Sequence, residues 1–144
     1  MKIRFLPFPV FFLMSALCFA QNTQQAQSPL KTCPKSPNCV SSQSEDSGHA
    51  IAPIGYSGNR AGAVARMKKV LDSMKRTKIV AEKDDYLHAE ATSLIFRFVD
   101  DVEFYFPADE LIIHVRSASR TGYSDLGVNR KRVEEIRKRF NEEI

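Results

Sequence analysis

Four side chains able to hold or exchange charge, His88, Arg97, Glu103 and His114, sit in successive runs of alternating apolar and polar residues. If tight turns join those runs as antiparallel hairpins, His88 opposes Arg97, Arg97 opposes Glu103 and Glu103 opposes His114, with Asp101 near Arg116. Such a row reads in two ways. It is either ordinary cross-strand charge pairing on a wet face, or a polar pocket beneath a covering segment in which the histidines titrate near neutrality. A second group follows directly: Arg116, Ser117, Ser119, Arg120, Tyr123, Asp125, Asn129 and Arg130. Guanidinium forks, hydroxyls and free N–H groups at a helix start are what a phosphate, sulfate or carboxylate ligand needs. Asp100, Asp101 and Asp125 are equally able to neutralise these arginines internally, and both readings stay open. His114 with Ser117 or Ser119 and an aspartate would supply the parts of a hydrolase, but no G-x-S-x-G turn accompanies them. No phosphate-cradling glycine loop or metal-ligand spacing is present, so neither a cofactor nor a metal is expected. The leading expectation is a non-catalytic anion site around Arg97, His114, Arg116, Arg120 and Arg130. A small hydrolase and a protein-interaction module are the alternatives.

The elements that must position these residues follow from periodicity. Val64, Met67, Leu71 and Met74 repeat at helical spacing, with Ser57 or Asn59 able to cap the start. Residues 78–82, 86–92, 94–99, 102–106 and 111–116 alternate as strands, with Asp84-Asp85, Asp100-Asp101 and Pro107-Ala108 as turns. Leu87, Phe96, Phe98, Val102, Phe104, Ile113 and Val115 then form one core face. A second helix runs from about Arg130 to Asn141, capped by Asn129, with Val133, Ile136 and Phe140 on its buried stripe. Arg130, Lys131 and Arg132 crowd its positive end, so an acid or a bound anion is expected there. The fold class is α+β: a five-stranded antiparallel meander sheet, two helices and a disulfide-closed N-terminal segment.

Composition places the chain in a compartment. With 43% hydrophobic and 26% charged residues, it reads as one small globular domain. Lys2 and Arg4, the apolar run to Phe19 and the small Ala20 resemble a secretory signal over residues 1–20, cleaved after Ala20, with a polar leader over 21–32 and the domain over 33–144. A retained membrane anchor is the competing reading, disfavoured by Pro7 and Pro9. Without that segment nineteen cations face seventeen acids, a balance of +2 that argues against a nucleic-acid partner. Membrane contact is expected only transiently, through the signal. Partners are then a small anionic ligand or an envelope protein. Cys33 and Cys39 are left as an even pair, simplest as a structural disulfide in an oxidising, periplasmic or extracellular setting. His49 has no ligand-spaced neighbour and reads as a surface or packing residue.

Three stretches carry a resemblance: CPKSPNCVSS at 33–42, RFVDDVEF at 97–104 and IHVRSASRTGYSDLGVNRKRVE at 113–134. They closely resemble the family known as domain of unknown function 1499, over Cys33 to about Phe140, with Thr121 as a small departure from a branched aliphatic residue. The resemblance implies an exported bacterial or thylakoid-lumen protein and carries over no catalytic or binding residue.

Overall fold

The computed structural model describes residues 27–143. The export signal expected over 1–20 and the first part of the leader lie outside them. Element order is β1 (Cys39–Ser41), β2 (Ile54–Gly55), α1 (Arg60–Ser73), β3 (Thr77–Lys83), β4 (Tyr86–Thr92), β5 (Val99–Tyr105), β6 (Ile112–Ser119) and α2 (Val128–Glu142). All strand pairings are antiparallel, in the order β1-β6-β5-β4-β3, and β2 also pairs with β6. The expected α+β class, with two helices on a meander sheet, is what the chain forms.

The helices cover one face, α1 over β3 and α2 over β6 and β1. Leu87, Val102, Phe104, Ile113 and Val115 point there and are fully buried, against Met67, Val70 and Leu71 of α1 and Val133, Ile136 and Phe140 of α2. Burying a Leu, Ile or Phe side chain contributes about 1.5–3 kcal/mol, so this layer is the main source of stability. Asn59 caps α1 as its sequence suggests, accepting from the Gly62 N–H at 2.8 Å. The Cys33–Cys39 disulfide is formed. It holds β1 at the edge of the sheet, where β1 supplies a strand the alternation did not reveal.

One expected strand is not a strand. Residues 94–98 form the β4–β5 hairpin loop, closed by Ser93 N–H donating to the Phe98 carbonyl at 2.8 Å and Phe98 N–H donating to Ser93 Oγ at 2.9 Å. Arg97 takes a left-handed φ of 57°, which breaks extended pairing. Phe96 and Phe98 therefore lie exposed and outside the core face expected for them. Asp100 and Asp101 are not a turn; they lie inside β5, where Asp100 faces Ser119 and Asp101 faces Ala118. The register shifts accordingly. His88 opposes Glu103 and Glu103 opposes Arg116, while Tyr105 opposes His114, so Arg97 belongs to no cross-strand row and Asp101 is not beside Arg116.

Candidate functional site

The two sheet faces carry separate polar groups. Alternation sends Tyr86, His88, Glu90, Asp101, Glu103, His114 and Arg116 to the face away from the helices. There Arg116 Nη1 donates to Glu103 Oε2 at 2.7 Å, and the Tyr86 hydroxyl donates to Glu103 Oε1 at 2.6 Å. His88 Nε2 lies 2.7 Å from Asp101 Oδ1, and Arg120 bridges Asp101 and Glu90. Arg120 holds the Asp101 carboxyl below its ordinary range, with His88 adding to the effect against the opposing effect of burial. Burial, and then the neighbouring Glu103 charge, raises the Tyr86 phenol above its usual value. Arg116 Nε is buried with no hydrogen-bond partner among the described residues.

The covering segment is the end of the polar leader, ahead of the disulfide loop. Ser28 Oγ donates to Gln43 Oε1, and Gln27, Pro29 and Lys31 wall a cleft of about 480 Å³ with Lys83, Asp85, Tyr86, His88 and Glu103. A second cleft, of about 440 Å³, lies along the disulfide segment and includes Lys31, Lys35, Asp46 and His49. His49 is buried, its Nδ1 2.7 Å from Asp46 Oδ2 and its Nε2 3.1 Å from the Ser36 carbonyl. The Ser36 carbonyl, and after it the Asp46 carboxylate, raise its pKa above the usual imidazole value.

The helix side holds the other polar group. Ser117 Oγ donates to Asn129 Oδ1 at 2.5 Å. Asn129 Nδ2 reaches the Asn38 carbonyl, Ser119 Oγ and Asp125 Oδ2 within 3.0 Å. Arg132 donates to Ser117 Oγ, Asn129 Oδ1 and Asp100 Oδ2. Asn129, expected as the cap, is instead fully buried inside the first turn of α2; Gly127 stands at the cap with φ 77°. The capping acceptor is Asp125, whose carboxylate takes the N–H groups of Gly127 and Asn129 at 2.9 and 2.8 Å. Burial alone would raise the Asp125 carboxyl, but these N–H donors outweigh it and its pKa is lowered. The anion expected at this helix start is thus supplied by the chain itself.

The group from Arg116 to Arg130 is therefore split between two faces. Arg130 donates to the carbonyls of Ala50 and Gly48, tying α2 to the N-terminal segment, while Arg116 and Arg120 serve the opposite side of the sheet. His114 also points away from Ser117 and Ser119; its Nδ1 lies 3.2 Å from Ser42 Oγ, which accepts from the Val115 N–H. Tyr123 is exposed in the loop after β6. Of the residues singled out in the sequence, His88 and Glu103 share the cleft with Lys31, Lys83 and Tyr86, and Arg116 braces Glu103 beneath it. Arg132, Asn38 and the lysines were missed. Asp100 was the available signal: it shares an inward alternation with Val102 and Phe104, and a buried carboxylate demands a cation.

Fold and site together define a small, disulfide-closed α+β domain with an ion-paired sheet face under its N-terminal segment and a side-chain lock fixing a helix to the other face. The chain belongs to the family described as Protein of unknown function (DUF1499), whose model matches residues 29–140. No curated protein and no solved structure matches it.

Proposed function

We propose that this is an exported, non-catalytic binding domain that takes a small anionic ligand in the cleft between its N-terminal segment and the open sheet face. The observation that carries the reading is the charge left over there. Lys31 and Lys83 line the cleft without a carboxylate partner among the described residues, whereas Glu103 is already engaged by Arg116 and Tyr86, and Asp85 is the one uncommitted acid in the lining. Two ammonium groups beside His88, over a floor whose carboxylate is neutralised, favour a ligand bearing phosphate, sulfate or carboxylate. A volume of about 480 Å³ suits a small metabolite. Binding is preferred to hydrolysis because His114 and the hydroxyls of Ser117 and Ser119 stand on opposite faces of β6, and both hydroxyls are held by Asn129. Export is supported by the signal-like start of the sequence and by the Cys33–Cys39 bond, which suits an oxidising compartment.

The test is thermal melting in increasing inorganic phosphate, sulfate and short dicarboxylates. A ligand that binds only the folded state raises stability by RT ln(1 + [L]/Kd). At least one anion should raise the midpoint of the native protein, and Lys31→Ala with Lys83→Ala should abolish the rise. An equal rise in native protein and double variant would remove the cleft from consideration.

A further inference from the structure

At the opposite pole from that cleft's N-terminal wall, the loops at one end of the sheet expose apolar side chains that fold into nothing. Ile95 and Phe96 of the β4–β5 loop are 78% and 72% exposed, and Leu94 and Phe98 are exposed beside them. The Phe96 and Phe98 rings stack on each other at 5.5 Å. The loop between β6 and α2 adds Leu126, 87% exposed, and Arg120 N–H donates to the Val99 carbonyl, which joins the two loops at one end. Soluble domains rarely leave contiguous apolar surface of this kind without a use.

The charges around this end are one-sided. Arg97 sits at the loop's crest, and its guanidinium has no partner among the described residues. Arg76 Nε donates to the Thr92 carbonyl next to the loop, and Lys131 lies one turn after the exposed Val128 on the same helix face. Residues 93–98 and 120–124 contain no acid. The nearby Asp100 and Asp125 carboxylates are consumed by Arg132 and by the N–H groups of α2, and Asp101 and Glu90 are held by Arg120, with His88 also on Asp101. An exposed apolar loop flanked by cations that have no carboxylate partner among the described residues complements a surface that is apolar below and anionic at its rim.

We propose that this end of the domain docks on an anionic phospholipid bilayer, with Leu94, Ile95 and Phe96 entering the headgroup–acyl boundary and Arg97, Arg76 and Lys131 meeting lipid phosphates. This goes beyond the transient contact expected of an export signal. It is a peripheral contact: among the described residues no helix is long and apolar enough to cross a membrane. Leu94, Ile95 and Phe96 lie outside the cleft that Phe98 and Val128 line between the two loops, so they are free to enter a yielding lipid surface.

The chain contains no tryptophan, so a single introduced indole reports its own site. In the full chain, Phe96→Trp should shift its emission to the blue on adding vesicles of phosphatidylglycerol and phosphatidylcholine, and brominated lipid should quench it. Val80→Trp, on partly exposed β3, should do neither, even if the N-terminal residues themselves bind vesicles. Adding Arg97→Glu, a change of two charges, should weaken partitioning by about thirtyfold, since each charge near an anionic surface is worth about 1 kcal/mol. An unshifted indole at position 96 at every phosphatidylglycerol fraction would overturn the proposal. So would a shift that needs a protein from the envelope and not lipid.

Discussion

Asp125 and Asn129 decide how α2 joins the sheet. Asp125 supplies the negative charge that Arg130, Lys131 and Arg132 deny the helix start, and Asn129 links the Asn38 carbonyl to both β6 serines. Asp125→Ala should cost about 1–2 kcal/mol, the worth of a capping acceptor. Asn129→Ala should cost more, about 3 kcal/mol, because it leaves several buried polar groups unpaired. Urea denaturation measures both, and the ranking is the informative result. His49 gives a pH dependence of known sign. Its pKa lies above 6.5 in the fold, so its contribution is complete below 6.5 and fades as pH rises through the raised value. Asp46, whose pKa the Gly48 N–H and then His49 hold below 3.8, contributes above 3.8 and loses that contribution as pH falls through the lowered value. The melting temperature of the native protein should therefore decline on the alkaline side of 6.5 more than that of His49→Gln.

Elements differ in how far the sequence announced them. Both helices and strands β4 and β6 follow from spacing alone, because Val133, Ile136 and Phe140 repeat at helical intervals, and Leu87 with Ala89 and Ile113 with Val115 at strand intervals. Leu94 to Phe98 repeats just as cleanly and is a loop. Alternation cannot separate a strand buried on one face from a loop that presents the same side chains outward, and the left-handed Arg97 leaves no mark in residue type. That single misplacement moved the whole register, and with it the partner of His88 from Arg97 to Glu103. The lysines of the cleft were illegible for another reason: Lys31 meets Lys83 only through tertiary packing of an aperiodic segment. Mutagenesis distinguishes the two kinds of apolar residue. Phe104→Ala should cost about 3–5 kcal/mol, whereas Ile95→Ser should change stability by less than about 0.5 kcal/mol. Reducing Cys33–Cys39 opens a short loop and should cost about 2 kcal/mol, read as a melting temperature lower by about 8 °C.

For the molecule as a whole, the sheet is a partition. Its helix side is spent on stability, by an apolar layer and a polar lock whose members satisfy one another. Its open side keeps charges in reach of solvent beneath a segment held by one disulfide and a few hydrogen bonds. The proposed binding on the open face predicts that the ligand is felt by one histidine of three. His88 lines the cleft, His49 is locked between Asp46 and Ser36, and His114 is fastened to Ser42 and stacked on Tyr105. The most direct measurement is a histidine-ring NMR titration with the anion that gives the largest thermal shift. Binding in the cleft requires the His88 resonances to move with saturation while those of His49 and His114 stay still. Three resonances moving together, or His88 alone unmoved, would contradict it.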